Sequence, residues 1–266
     1  MGTRTKYAPG TFSWVDLTTT DVDAAKRFYS ELLGWEYSDQ PANGEVYSMA
    51  RRYDADVAGV FGQQEHERAR GVPSHWNSYV TTDDADAAGA RVKELGATVL
   101  AEPFDVFEAG RMAVLADPAG AVFSVWQPRR HIGAGHINDP GCLTWNELST
   151  RGAERAMTFY SELFGWRFEA MDSGDGPGYW IIGHDGAAMG RNGGMRELSA
   201  EETQAGVPPN WMPYFTVDFV ATTTEQAKAS GGTILYGPVP IGPGTIAVLK
   251  DPTGAVFGLF EGEVDD

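Results

Sequence analysis

The feature that most constrains this chain is a duplication. Phe12 to Trp35 returns 131 residues later as Leu143 to Trp166, with Trp14 matching Trp145, Asp16 matching Glu147, and the block FYSEL-x-GW identical in both copies. A period of that length is too long for a solenoid repeat and suits a duplicated domain. Each copy opens with a short apolar–polar alternation, the mark of a strand with one buried face. In the first copy Thr19, Thr20, Asp21 and Asp23 form a helix start favoured by the N-terminal dipole. Val22, Ala25, Tyr29, Leu32 and Leu33 follow on one helical stripe, and Gly34 and Gly165 stand where left-handed caps end the two helices.

A second repeated unit closes each half. Met112 to Trp126 matches Ile246 to Phe260, including the turns Asp117-Pro118-Ala119-Gly120 and Asp251-Pro252-Thr253-Gly254, where Pro at the second position and Gly at the fourth suit a type I turn. Between these units the spacing predicts strands around 35–37, 46–50, 57–61, 76–82 and 98–101, a helix near 84–95, a polar loop over 63–73, and a helix near 222–230. That last helix holds three threonines and only alanine as apolar filler, so packing must hold it. The pattern divides the chain into 1–130, a Gly- and Pro-containing linker over 131–142, and 143–266.

Charge excludes some functions. The net formal charge is −17. The first 130 residues carry 13 basic and 19 acidic side chains, giving −6; the remainder carry 7 and 18, giving −11. Nucleic acid and anionic membranes are bound by Lys and Arg, so neither is an expected partner. An acidic chain suits a cationic small molecule, although a solvating surface accounts for the same charge. The single cysteine, Cys142, permits no intrachain disulfide and no Cys-rich zinc site. The N-terminal MGTRTKYAPG has no signal-like apolar run, and no segment has the length of a membrane span. A cytoplasmic protein, monomeric or homodimeric, is the expectation.

These motifs, the strand followed by D-x-x-x-A-x-x-FY-x-x-L and the paired closing strands around ADP-x-GAVF, resemble the vicinal oxygen chelate superfamily of glyoxalases, bleomycin-resistance proteins and extradiol dioxygenases. The two-domain glyoxalase-like or hydroxylase branch of actinomycetes is the nearest pattern. The resemblance covers nearly the whole chain. It implies an α+β fold of two tandem domains, each of two βαβββ modules curling an eight-stranded sheet into a cup. In family enzymes four His or Glu side chains of the cup hold a divalent metal. Laid on this chain, those positions fall on Trp14, Asn77 and Ser124 in the first half and on Trp145, Met212 and Gly258 in the second. The fourth lies within 56–61 and within 185–190. Trp, Met and Gly are not ligands for such cations, and Asn and Ser are weak ones. No metal and no other cofactor is therefore expected. Of the five histidines, His66, His131, His136 and His184 fall in loop or linker sequence, and His75 precedes a strand.

Strand alternation places Asp16 and Glu147 on the same face as Trp14 and Trp145. A carboxylate in an apolar cup has a raised pKa and is a candidate acid or base, or the partner of a cationic ligand; a structural acid is the alternative. The same alternation gives wall residues Asn77, Tyr79, Thr81, Val122, Ser124 and Trp126 in the first half. Met212, Tyr214, Thr216, Val256, Gly258 and Phe260 are their counterparts. Aromatic and methionine side chains around a few polar groups describe a site for a flat, apolar small molecule, or a packed core. Two functions follow. One is a metal-free binder of a natural product or metabolite, of the sequestering or resistance type, with Trp14, Asn77, Tyr79, Ser124, Trp126, Trp145, Met212, Tyr214 and Phe260 as binding residues. The other is a glyoxalase-, dioxygenase- or hydroxylase-type enzyme, or a metal-free cyclase or isomerase, using Asp16 or Glu147. Trp14 and Trp145 are also placed to plug their cups.

Overall fold

The computed structural model describes residues 2–42, 45–171, 178–187 and 190–264. The first half contains β1 (Phe12–Thr19), α1 (Val22–Leu33), β2 (Glu36–Ala42), β3 (Glu45–Arg52), β4 (Ala55–Gly62), α2 (Glu65–Ala69), β5 (His75–Thr81), α3 (Ala85–Glu94), β6 (Thr98–Val106), β7 (Gly110–Ala116) and β8 (Val122–Pro128). The second contains β9 (Leu143–Thr150), α4 (Ala153–Phe164), β10 (Arg167–Met171), β11 (Tyr179–Gly183), β12 (Arg191–Glu197), α5 (Ala200–Gln204), β13 (Asn210–Thr216), α6 (Val220–Ala229), β14 (Thr233–Ile241), β15 (Gly244–Lys250) and β16 (Val256–Gly262). Each half forms one eight-stranded sheet, ordered β2-β3-β4-β1-β5-β8-β7-β6 and β10-β11-β12-β9-β13-β16-β15-β14. This is the α+β arrangement of tandem βαβββ modules that the sequence implies.

Local chemistry places the elements. The Asp21 side chain accepts from the Ala24 amide at the start of α1, and Gly34 ends it at φ 69°. Gly165 ends α4 at φ 72°. The 63–73 segment, read as a loop, contains the short helix α2, because Gln64 and Glu67 form a capping box that nucleates one turn. In α6 the poor intrinsic propensity is offset by packing: Thr223, Thr224 and Ala227 are buried, and Glu261 accepts from the Val220 amide. Linker residues 131–142 are tied down by backbone bonds from Ala134 to Ser13, Gly135 to Asp56 and Gly141 to Thr216.

The repeated motifs build the boundary between the halves. One core joins Val15, Leu17, Phe28 and Tyr29 of the first half to Phe215, Val220, Phe257 and Leu259 of the second. The other joins Phe12, Val80, Leu115 and Phe123 to Leu148, Phe159, Tyr160 and Trp211. Trp76 donates to the Tyr29 hydroxyl at 3.2 Å, which donates to Asp251 at 3.0 Å. Its mirror runs from Trp211 to Tyr160 at 2.9 Å and on to Asp117 at 3.2 Å. The two aspartates therefore tie the closing turn of one half to the FYSEL helix of the other. Glu31 accepts from Ser230, and Glu162 pairs with Arg91, again across the boundary. Each half supplies one side of both cores, and the opposite faces of the two sheets are left as the cups.

Candidate functional site

Period-two alternation decides which side chains enter the cups. On β1, Val15 and Leu17 go to the shared core while Trp14, Asp16 and Thr18 face the first cup; on β9, Leu148 is in the core and Trp145 and Glu147 face the second. Parallel pairing then defines the fourth family position. Asp16 pairs with Gly59 on β4, as Tyr79 pairs with Ser124; Glu147 pairs with Gly194 on β12, as Tyr214 pairs with Gly258. Gly59 lies inside the expected 56–61 window. In the second half the matching position is Gly194, beyond the expected 185–190 window, of which residues 188 and 189 lie outside the described residues.

The four metal positions are thus Trp14, Gly59, Asn77 and Ser124 in one cup and Trp145, Gly194, Met212 and Gly258 in the other. These donor sets do not fit a divalent metal. The glycines serve a different purpose. A Cβ at Gly59 would collide with the Tyr47 hydroxyl, one at Gly194 with that of Tyr179, and one at Gly258 with the Tyr214 ring. Tyrosines lean over the places where ligands of a metal would stand. Among the described residues no group of three or more His, Cys, Asp or Glu side chains converges.

The first cup is filled by its own side chains. Trp14, Tyr79, Trp126 and the linker's Ala134 form a buried cluster, with Met49, Met112 and Ile137 packed against it. The linker closes it: the His131 ring sits edge-on to Trp14 at 4.6 Å, and Trp126 Nε1 donates to the His131 carbonyl at 2.8 Å. Burial lowers the pKa of His131, so its ring packs in the neutral form. Asp16, 2% exposed, spends both oxygens internally. Asn77 donates to Oδ1 at 2.9 Å; Tyr79 and Tyr47 donate to Oδ2 at 2.7 and 3.1 Å. Burial raises its pKa to about 6 against the pull of those three bonds. Ser124 is buried beside Tyr79, and Phe61 stacks on Tyr47 at 5.6 Å.

The second cup repeats the scheme with changes. Trp145 Nε1 donates to the Tyr179 hydroxyl at 3.3 Å, as Trp14 does to Tyr47, but Trp145 is only half-buried. Glu147 replaces Asp16 and reaches one methylene further. Tyr214 donates to its Oε1 at 3.3 Å, and burial raises its pKa, opposed by Arg196 and the Tyr179 and Tyr214 hydroxyls. Where the first cup has Phe61, the second has Arg196: Tyr47 pairs with Phe61, and Tyr179 with Arg196. The Arg196 guanidinium is gripped by Glu202 of α5 through two bonds of 2.8 and 2.7 Å, and its Nε lies 3.5 Å from Glu147. That bidentate grip holds the Glu202 carboxyl down to about 2. The N-terminal residues Arg4, Lys6 and Tyr7 border this cup. A broad cleft runs along it, lined by Trp145, Glu147, Tyr179, Arg196, Met212 and Phe260 and extending to His75, Asn77 and Val122 of the first half.

The structure therefore gathers the candidate residues into two groups on separate faces. Trp14, Asp16, Tyr79, Ser124 and Trp126 stand in the closed cup; Trp145, Glu147, Met212, Tyr214 and Phe260 stand in the open one, and Asn77, bonded to Asp16, also lines the broad cleft. Tyr47, Tyr179, Arg196 and Glu202 were not singled out from the sequence. The Ser199-x-x-Glu202 capping-box pattern was a usable signal, but Arg196 was hidden by the misplaced window.

Comparison with known proteins agrees with this architecture. Residues 14–126 match the Glyoxalase-like domain family, and residues 134–259 match the Glyoxalase/Bleomycin resistance protein/Dioxygenase superfamily. The chain belongs to that superfamily. It is 39% identical over 264 residues to the protein named "Putative glyoxylase CFP32" of Mycobacterium bovis, covering 98% of both chains. It is 34% identical over 272 residues to "Anthracycline biosynthesis protein DnrV" of Streptomyces peucetius, covering 97% of this chain and 95% of the relative. Among solved structures it resembles the Mn(II)-bound glyoxalase from Novosphingobium aromaticivorans, with TM-score 0.67 and 18% identity, covering 98% of this chain and 85% of that one. At that identity the likeness is one of fold.

Proposed function

We propose that this chain binds a flat, largely apolar small molecule in its second cup, without a metal, in a sequestering or resistance role. The observation that carries the reading is the contrast between the cups. The first is packed by Trp14, Tyr79, Trp126 and the linker, whereas the second leaves Trp145, Tyr179, Met212 and Phe260 around an open cleft with one polar cluster at its floor. Such a lining, apolar walls with a few convergent polar groups, is that of a small-molecule site. The relative named for anthracycline biosynthesis supports a polycyclic aromatic ligand, since an anthracycline frame is planar. No helix among the described residues is long and apolar enough to cross a membrane, and a cytoplasmic location belongs to the proposal.

The test is a titration with 1,8-dihydroxyanthraquinone followed by tryptophan fluorescence. One saturable site is expected, weakened at least ten-fold by Trp145→Ala and unchanged by Trp14→Phe or a chelator. Two equal sites, no saturation, or loss on chelation would overturn the reading.

A second reading, an acid–base enzyme of the same fold, rests on Glu147. Its carboxyl lies at the floor of the open cleft, and its raised pKa brings a proton acceptor toward neutrality. Asp16 has no such access, both its oxygens being occupied within a filled cup. In this reading Glu147→Gln retains ligand binding and abolishes turnover; turnover surviving in that variant would remove Glu147 from the chemistry.

A further inference from the structure

The two cups share a wall. Pro9–Gly10 matches Pro140–Gly141 at the same 131-residue spacing as Trp14 and Trp145, so the segment entering β1 and the linker entering β9 are counterparts. They meet as an antiparallel ribbon: Thr3 bridges His136, and the Arg4 amide donates to the Gly135 carbonyl at 2.9 Å. The linker is held there from both sides. Its Ala134 and Gly135 amides donate into the first half, to the Ser13 carbonyl at 2.7 Å and the Asp56 carbonyl at 2.8 Å. Its carbonyls accept from the N-terminal segment, Gly135 from the Arg4 amide and Ala134 from the Tyr7 hydroxyl at 2.7 Å. Ala134 is fully buried in the Trp14–Tyr79–Trp126 cluster of the first cup. The same ribbon borders the second cup. Arg4, Lys6 and Tyr7 line its cleft, and Ile137 both packs against the first cup's cluster and lines that cleft.

Building on the reading of the second cup as a small-molecule site, we propose that this ribbon couples the two cups, with Tyr7 as its latch: a ligand filling the second cup holds the ribbon down and tightens the roof over the first. A ligand shifts a conformational balance only through contacts made better in one of its states. Tyr7 and Ile137 stand in the cleft wall while the ribbon is docked, so a ligand resting on them favours that state. The linkage is reciprocal, and loosening the roof weakens binding in the second cup. A roof fixed to the first half alone would not sense the second; the bonds from Arg4 and Tyr7 join it to both. Tyr7 is a positioning residue in this scheme, acting on Ala134 and through it on the packing of Trp14 and Trp126.

The experiment is hydrogen exchange followed by mass spectrometry on the full chain, read over residues 129–137 and, as an internal reference, over α3. Tyr7→Phe removes one hydroxyl and keeps the ring. It is expected to speed exchange over 129–137 by about three- to ten-fold, the effect of one hydrogen bond lost from a local opening, and to leave α3 unchanged. Saturating 1,8-dihydroxyanthraquinone is expected to slow the same segment by about five-fold or more in the unmodified protein, and by less in Tyr7→Phe. Exchange over 129–137 that Tyr7→Phe leaves unchanged, or that quickens equally in α3, would overturn the latch. Saturable binding that leaves this segment's exchange unaltered would overturn the coupling and leave the ligand reading of the second cup standing. Absence of saturable binding would remove that reading and the coupling with it.

Discussion

The two cups descend from one sequence pattern and differ where the two shared cores do not. Behind the sheets, the Trp76–Tyr29–Asp251 and Trp211–Tyr160–Asp117 relays repeat with nearly the same distances. Inside the cups, Phe61 corresponds to Arg196, Asp16 to Glu147, Asn77 to Met212, and Trp126 to Phe260. The back of each half is the other half's core, so a change there disturbs both domains. One cup has been packed shut and given a linker roof, and the other has kept its space and acquired a charged floor. Duplication here preserved the interface and released the concave faces to diverge.

The largest expected contrast is in packing. Trp126→Ala should cost about 3–5 kcal/mol, because it empties a buried site whose neighbours are held by both the sheet and the linker. Phe260→Ala, at the matching place in the open cup, should cost about 1 kcal/mol, since its ring is only partly withdrawn from water. Urea unfolding of the two variants measures both, and equal losses would mean that the second cup is as filled as the first.

Next in size is the pH dependence contributed by Asp16. Its folded pKa of about 6 lies above the ordinary value, so the folded state binds the proton more tightly than the unfolded one. The resulting stabilisation is full below about pH 4 and is lost as pH rises to about 6, on the order of 3 kcal/mol across that window. Asp16→Asn should flatten this part of the stability profile relative to the parent chain. An unchanged slope between pH 4 and 6 would mean that Asp16 is not held in the protein interior as described.

The smallest effect sharpens the other side of the comparison. Tyr29→Phe and Tyr160→Phe each remove one hydroxyl that links a tryptophan to a buried aspartate, costing about 1–3 kcal/mol. The two losses should agree within about 0.5 kcal/mol, an allowance typical of independent sites. A large inequality would show that the shared cores are less symmetric than their geometry.

Much of the architecture was legible along the chain. The copies, their helices, the left-handed Gly34 and Gly165, and the alternation that puts Trp14 with Asp16 and Trp145 with Glu147 on one face all depend on near neighbours. The register of β12 was not legible. RNGGMRE has no apolar–polar alternation to mark a face, so Gly194 and Arg196 were missed until pairing with Tyr179 and Glu147 placed them.

The sequence by itself determined that there are two βαβββ pairs and which side chains share each strand face, because 2.0- and 3.6-residue periods are local properties of the backbone. Tertiary structure alone decided what those faces meet. Tyr29 finds Asp251 across 222 residues, Arg196 is turned to Glu202, and the linker lies over the first cup. Partners so distant are chosen by the packing of whole sheets, which no local period encodes.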